Sequence, residues 1–350
     1  MKLPKLAGPA AAVASLALAL AGVARASSLS SSVLGMFPKA VGEIGYVDLK
    51  AARQTAWFSQ YQSQMLPIRF QHFERYLVSA GMDLEKQVEE IAWVGSAQDT
   101  QQPANPADAQ GKAASGGPPA QPQQFTGEEV VGIGIGNFAP DQIDAFFKKQ
   151  KLPTVSVRGY TLYVFGSGMS PGDLFFFFLD SNTVAFGHRE MLEKLIGVRF
   201  GDEESFLQNE TLSALVDEVN GQGAMWMALD QNYSKSQIAR MMPDLAQFEG
   251  ATKMLGRVKG MTVSVQMDSG IIAQVTPQCG STDDALTMAQ LLQAGLLIKR
   301  YQASQSTPDV AKALDATTVS ADGDHLKIRT QLADDLLLSL LRSGTLSLPM

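Results

Sequence analysis

Residues 128–149, with the sequence EEVVGIGIGNFAPDQIDAFFKK, decide the fold. The stretch predicts a buried β-strand, a short turn and an amphipathic helix. The helix begins favourably, because Pro140 suits the first helical turn. Ile143, Phe146 and Phe147 recur at helical spacing and form its apolar face. The stretch is therefore interpreted as one strand-helix unit of a larger fold.

The glycines of this stretch also fit a loose dinucleotide-binding pattern, G-x-G-x-x-A, through Gly134, Gly136 and Ala139. That fingerprint needs a crossover to a parallel strand and an acidic residue about twenty positions later, which binds the ribose. At that distance residues 155–158 read VSVR and include no acidic residue. Gly132 continues the alternation, so the glycines lie on one face of the strand. We interpret them as a packing face, approached most closely by a helix, and predict no cofactor.

The order of elements around this stretch occurs twice along the chain. Segments 44–49, 88–95 and 130–138 (IGYVDL, VEEIAWVG and VVGIGIGNF) correspond in order to segments 224–230, 258–267 and 271–279 (AMWMALD, VKGMTVSVQM and IIAQVTPQC). Strand-helix-strand-strand-helix-strand is the order of the split βαβ, or ferredoxin-like, unit. The sequence predicts an α+β fold of two tandem βαββαβ-like units, each with an extra hairpin strand, a terminal helix and an antiparallel-rich sheet.

Composition suggests where the units begin and end. We expect residues 40–200 to form the first α+β unit, residues 201–223 a connecting helix and residues 224–345 the second unit. Residues 98–127 are dominated by Gln, Pro, Ala and Gly. They cannot bury enough apolar surface to offset the entropy of ordering, so we expect a disordered loop inserted at a hairpin tip. Residues 27–39 begin with a serine-rich segment and are expected to be a mobile lead-in.

Residues 1–26 have the features of a cleaved signal peptide. Lys2 and Lys5 precede an apolar run at residues 6–23, and residues 24–26 (ARA) place small residues where signal peptidase reads. A membrane anchor is the alternative, but the run is at the lower length limit for a span and contains glycine and proline. We expect an exported protein of the bacterial periplasm or cell envelope, with no stable membrane span after cleavage.

The charge balance excludes some partners. The chain has 28 Lys and Arg residues against 35 Asp and Glu residues, a net charge of −7, and the signal segment contributes only basic residues. Nucleic acid and anionic lipid both need a basic footprint, so neither is expected as a partner. Cys279 is the single cysteine, which excludes a disulfide within this sequence and a thiolate metal cluster. Burial of apolar surface must therefore stabilise the fold.

Patterns for metal binding are weak. His72, His188 and His325 are far apart, and none has a histidine or cysteine neighbour at ligand spacing. Asp322 and Asp324 lie beside His325, but in a predicted hairpin turn where aspartate and glycine are common. We therefore predict no catalytic, cofactor-binding or metal-binding residues.

Cys279 is the remaining candidate nucleophile. It follows a predicted strand and precedes a helix N-terminus, an electropositive place that can lower a thiol pKa. The alternative, which we favour, is a small half-buried residue with no chemical role. The sequence contains no G-x-S-x-G nucleophile elbow.

Segments 49–58, 81–95 and 258–271 (LKAARQTAWF, GMDLEKQVEEIAWVG and VKGMTVSVQMDSGI), together with the signal peptide, resemble exported bacterial proteins of unknown function in which a strand-helix unit is duplicated. The resemblance covers most of the mature chain and rests on general patterns. It implies export and duplication. That group has no catalytic motif to carry over.

The leading hypothesis from sequence is a non-catalytic exported protein that binds or scaffolds a protein or an envelope component. One alternative is a hydrolase-type enzyme whose site is assembled from distant residues. Such a site would be a deep pocket with clustered Asp, His or Arg side chains and shifted pKa values. Another is a protein that binds an apolar ligand, which would need an exposed apolar groove.

Overall fold

The computed structural model describes residues 28–55, 57, 58, 78, 82–97, 128–166, 168–170, 173–241, 255–268 and 270–343. In chain order the elements of these residues are α1 Ser31–Leu34, β1 Glu43–Asp48, α2 Leu49–Ala52, α3 Leu84–Gln87, β2 Val88–Ala97, β3 Glu128–Gly136, α4 Pro140–Gln150, β4 Thr154–Val157, β5 Tyr160–Phe165, β6 Leu174–Phe178, β7 Thr183–Gly187, α5 Arg189–Phe200, a 3₁₀ turn Phe206–Gln208, α6 Glu210–Val219, β8 Met225–Asp230, α7 Gln231–Met241, β9 Gly260–Asp268, β10 Gly270–Gln278, α8 Thr282–Ser306, α9 Pro308–Asp315, β11 Thr317–Asp322, β12 His325–Leu332 and α10 Asp334–Arg342.

The described strands form one 12-stranded sheet in the order β11-β12-β10-β9-β8-β1-β2-β3-β7-β6-β5-β4. Every neighbouring pair in it is antiparallel. The predicted α+β class with antiparallel-rich pairing is confirmed. The strands of both predicted units lie in this single sheet, because β1 pairs with β8. That pairing satisfies backbone groups that would otherwise lie on two open edges.

The strand order repeats on either side of the β1–β8 border. Outward from it, β8-β9-β10-β12-β11 on one side corresponds to β1-β2-β3-β7-β6 on the other, and the first unit continues with β5 and β4. The paired segments of the sequence therefore occupy equivalent places. The pairing differs from a ferredoxin-like unit, in which some neighbouring strands are parallel. Here β1, β2 and β3 are successive antiparallel neighbours.

Tyr46 and Trp226 stack at the centre of the sheet. They lie opposite each other in the β1–β8 register, their ring centroids are 5.6 Å apart, and both side chains are fully buried. We call the side of the sheet onto which they project face 1 and the other side face 2. In the first unit, face 1 is apolar and is covered by α5, while α6 packs at the border on β8 and β9.

The segment before β1 belongs to this core. Leu29, Val33 and Phe37 are buried in the cluster that contains Tyr46 and Trp226. The prediction of a mobile lead-in at residues 27–39 is therefore corrected for residues 28–39, because apolar side chains between the serines find a place beside α6. Asn220 fixes this segment by hydrogen bonds with the backbone N and O of Leu29, at 2.9 Å each.

Face 2 is covered by other helices. Phe147 of α4 packs edge-on against Tyr163 and Phe176, with ring centroids 4.7 and 6.0 Å away. In the second unit, α7 and α8 form a core with β8 and β9, and α9 and α10 form another with the end of β12. Three consecutive phenylalanines of β6, Phe175–Phe177, are buried, so this strand is covered on both faces.

The glycine face of β3 is packed differently from the prediction. A Cβ atom at Gly132 would lie 2.3 Å from the ring of Phe186, its partner on β7, and one at Gly136 would lie 1.8 Å from the backbone oxygen of Gln87. Among the described residues the closest neighbours are thus the Phe186 ring at Gly132 and, at Gly136, the backbone of Gln87, the last residue of the short helix α3. The strand β2 shifts its register near Val88, which brings the Gln87 backbone onto Gly136.

Several predicted elements differ in extent. The predicted connecting helix at residues 201–223 is reduced to the 3₁₀ turn and α6, divided at Asn209. The Asn209 side chain accepts a hydrogen bond from the Leu212 backbone N at 3.1 Å and caps α6. The helix α9 was not predicted. The predicted disordered loop at residues 98–127 lies outside the described residues.

Gly136→Ala is expected to lower the free energy of unfolding by about 1–3 kcal/mol, since the Gln87 backbone must move to admit the methyl group. Gly295→Ala is the matched control. Nothing lies within 4 Å of a Cβ at that helical position, so the same change is expected to raise stability by about 0.5–1 kcal/mol. Urea unfolding of both variants measures this, and equal effects would contradict the packing role of Gly136.

Glu90→Gln is expected to stabilise the protein more at neutral than at acidic pH. Burial raises the pKa of Glu90, and the Asp48 and Glu89 carboxylates add to this against the hydrogen bond from Tyr46. The folded state therefore favours the protonated form, and that contribution to stability is lost as pH rises through the folded pKa. Urea unfolding at pH 4 and pH 7 measures the difference. Glu89→Gln, an exposed neighbour, is the control, and an equal effect of Glu90→Gln at both pH values would contradict the assignment.

Candidate functional site

Face 1 changes from apolar to polar beyond the β1–β8 border. In β9, Met261 and Val263 project to the core of face 2, so Thr262 and Ser264 project to face 1. Ser264 lies opposite Gln274 of β10, and Gln274 lies opposite Arg329 of β12. Hydroxyl, amide and guanidinium groups thus follow one another across three strands.

These side chains line an open hollow of about 380 Å³ between α6 and the sheet. We call it the polar groove. Its walls come from the end of α6 and the loop that follows, and its floor from β9, β10 and the β11–β12 hairpin. The lining residues are Glu218, Val219, Gln222, Thr262, Ser264, Gln266, Ile272, Gln274, Thr276, Asp322, His325, Lys327 and Arg329.

The floor of the polar groove holds three hydroxyl-bearing residues that are largely buried. Thr262, Ser264 and Thr276 are 6%, 9% and 8% exposed. Gln274 Nε2 donates to Thr276 Oγ1 at 3.3 Å. Within the described part of the chain the hydroxyls of Thr262 and Ser264 have no protein hydrogen-bond partner. Neither oxygen is among the fully buried unbonded polar atoms of the described residues, so each can bond to water or to a polar ligand in the groove.

Charged groups lie at the end of the polar groove formed by the β11–β12 hairpin. Lys327 Nζ lies 2.5 Å from Asp322 Oδ2, and its hydrogen bond and charge lower the pKa of Asp322. His325 lies between two carboxylates, with Nδ1 2.8 Å from Asp324 Oδ1 and Nε2 3.6 Å from Glu218 Oε2. These contacts connect the hairpin to α6.

Arg329 is the exposed cation of the polar groove. No carboxylate of the described residues lies within ion-pair distance of its guanidinium. Arginine presents several N–H donors in a rigid planar group, which suits carboxylate and carbonyl acceptors. Arg329 is therefore the side chain best placed to contact a ligand on the polar groove.

Of the candidate residues considered from sequence, the described structure brings together Asp322, Asp324 and His325, in the β11–β12 hairpin. His188 Nδ1 accepts a hydrogen bond from the Val130 backbone N at 3.3 Å, which fixes the start of α5. His72 lies outside the described residues. His325 has no hydrogen bond to a serine or threonine hydroxyl among them, so no nucleophile is positioned there. The same described residues contain no group of three or more His, Cys, Asp or Glu side chains arranged to hold a metal ion.

Cys279 is fully buried, so the sequence interpretation of a half-buried residue is corrected. Its Sγ lies 3.7 Å from Met288 Sδ in the core between β10 and α8. Burial raises the pKa of the thiol, and the Asp284 and Asp324 carboxylates raise it further. The helix N-terminus does not outweigh these effects, and the residue packs as a small apolar side chain.

A second hollow, of about 410 Å³, lies where α6 begins and includes Asn209 and Asp230. Both polar side chains already have structural roles. Asn209 caps α6 and also donates to the Lys39 and Val41 backbone oxygens at 2.9 and 3.3 Å. Asp230 accepts from the Asn232 and Tyr233 backbone N atoms. The polar groove is therefore the better candidate.

The polar groove was not predicted from the sequence. A signal was present, since Thr262, Ser264 and Gln266 alternate with apolar residues in β9, and Lys327 and Arg329 do so in β12. Alternation predicts a polar face of a strand. It does not indicate which strands lie side by side or that α6 borders them.

No protein-family model and no curated protein matches the sequence. Among solved structures, crystal form I of TP0453 aligns with a TM-score of 0.49 at 10% identity, over 90% of this chain and 98% of that one. Crystal form III gives 0.46 at 9% identity over 89% and 97%, and form IV gives 0.41 at 10% identity over 92% and 99%. Structural similarity at these TM-scores does not indicate a function for this chain. Of the helices that the structure describes, none has the length and apolar character needed to span a membrane.

Cys279 is expected to react slowly with a thiol reagent such as dithionitrobenzoate at pH 8. Burial and the raised thiol pKa both disfavour the thiolate, so labelling of the native protein is expected to be about 100-fold slower than in urea. Absorbance of the released thiol measures both rates. Equal rates would show that Cys279 is reactive.

Proposed function

We propose that this is a non-catalytic exported protein of the bacterial periplasm or cell envelope that binds a polar partner in the polar groove. The observation that carries the proposal is the set of polar side chains that line one hollow, in which Arg329 is exposed and the hydroxyls of Thr262 and Ser264 have no protein partner among the described residues. Export rests on the signal features of residues 1–26.

A solvated face is the ordinary state of one side of an antiparallel sheet. Two features favour a ligand over water alone. The row from Ser264 to Arg329 lies in a hollow bordered on one side by α6, and the floor residues Thr262, Ser264 and Thr276 are each less than a tenth exposed. A ligand with several hydrogen-bonding groups would pair them, and a carboxylate or carbonyl oxygen would accept from Arg329.

A hydrolase is the second candidate, favoured by one observation. His325 is oriented by Asp324 in a groove that also contains Asp322, with a lowered pKa, and Arg329. A histidine oriented by a carboxylate supplies the general base of a nucleophilic catalytic site, which also needs a nucleophile. Turnover of a chromogenic ester that His325→Gln abolishes would favour this function over binding alone.

An apolar-ligand site is less well supported. Both described hollows are lined largely by polar side chains. The exposed apolar side chains of α8 lie on the outer surface of a helix and form no groove.

Arg329→Glu is expected to reduce capture of an envelope component by the immobilised protein about tenfold or more, because it reverses the charge beside Gln274. Arg342→Glu makes the same change on α10, away from the polar groove, and is expected to leave capture unchanged. Pull-down from envelope extracts with mass spectrometry measures both. A component retained equally by the two variants would place binding elsewhere, and repeated absence of any retained component would contradict the proposed function.

A further inference from the structure

The long helix α8 is apolar on two opposite faces. Its inner face packs on the sheet through buried side chains, Ala285, Met288 and Ala289 among them. On its outer face Leu291, Ile298 and Tyr301 are 58%, 60% and 74% exposed. Successive residues of a helix advance by about 100°, so these side chains and Ala294 lie opposite the buried ones.

We call Leu291, Ala294, Ile298 and Tyr301 the outer stripe. Residues 285–298 of α8 contain no charged side chain. Arg300, near the end of the stripe, turns away from it and pairs with Asp315 of α9. A continuous apolar face of a few hundred Å² is about the size of the largest apolar patch on a typical monomer, and such a patch is often an interaction surface.

We propose that the outer stripe binds the outer stripe of a second copy of this chain, with the two α8 helices antiparallel. The stripe repeats at intervals of three, four and three residues, which is the spacing of a helix–helix seam. A twofold axis near residue 296 sets Leu291 opposite Tyr301 and Ala294 opposite Ile298. A small side chain thus meets a large one, and the surface is complementary to itself.

The flanking residues agree with this arrangement. The same axis sets Gln290 opposite Gln302, so amide groups that can hydrogen-bond to each other border the apolar seam. The outer stripe contains no charged residue, so no like charges face each other within it. The helix dipoles also run in opposite directions in an antiparallel pair, which is favourable.

The exposed apolar area of the outer stripe predicts a weak dimer. The outer stripe and its apolar neighbours expose on the order of 400 Å² per copy, about half of what a standard interface contributes from each partner. The full chain has a net charge of −7 and residues 1–26 contribute only basic side chains, so two copies of the chain from residue 27 also repel each other. We therefore expect dimerisation at micromolar or higher concentrations, and strengthening by salt, which screens the repulsion.

Ile298→Glu tests the proposal in the chain from residue 27 to residue 350. Because Ile298 is exposed, the monomer is expected to stay folded, while two buried charges at the seam weaken the dimer about tenfold or more. Leu286→Glu is the control on the same helix. Leu286 is 47% exposed but lies outside the stripe, so this variant is expected to dimerise as the wild type does. Sedimentation equilibrium over a concentration series measures the dissociation constants.

A swap tests the antiparallel register. Ala294→Ile and Ile298→Ala each leave a mismatch and are expected to weaken the dimer. The double variant exchanges the two side chains across the axis and is expected to restore it. A wild-type chain that is monomeric up to about 1 mM, a dimer indifferent to Ile298→Glu, or a double variant no better than the singles would each overturn the proposal. Flotation of a monomeric wild type with neutral phosphatidylcholine vesicles, lost in Ile298→Glu, would assign the stripe to a lipid surface instead.

Discussion

The pairing of β1 with β8 is the constraint on which the rest of the structure depends. It converts two successive units into one antiparallel sheet and places the stacked rings of Tyr46 and Trp226 at its centre. Antiparallel pairing of equivalent strands relates the units by an approximate twofold rotation. Each unit then continues outward in the same strand order, so backbone groups stay paired across 12 strands.

The two units cover face 1 differently, and this difference creates the polar groove. In the first unit α5 follows β7 and packs on face 1, where Phe177 and Ala185 offer an apolar surface. Its counterpart α10 follows β12 and packs on face 2 with Leu332. Face 1 of β12 carries Lys327 and Arg329, which an apolar helix cannot bury without a high desolvation cost. The helix takes the other face, and the polar one stays open.

Much of the fold could be predicted from the sequence, because the local preferences of neighbouring residues agree with the packing that the tertiary structure requires. The hairpin turn at residues 322–324, the capped start of α8 at Ser281 and the buried run of phenylalanines in β6 were each visible in a few neighbouring residues. The sequence did not identify Asn209 as a helix cap. The serine-rich lead-in was predicted to be mobile because it is polar. In both cases partners distant in the chain contribute: Asn209 donates to the Lys39 and Val41 backbone oxygens, and Asn220 bonds to the Leu29 backbone.

The sequence by itself determined the α+β class, the duplication of element order, the positions of most strands and the absence of a disulfide within it. Periodicity, turn residues and a single cysteine carry that information locally. Only the tertiary structure decided that both units share a sheet, that Phe186 fills the place above Gly132, and that Thr262, Ser264 and Arg329 line one hollow beside α6. Those facts depend on which strands become neighbours and on which face each helix packs. Both follow from the summed burial of residues far apart in the chain, which no single stretch contains.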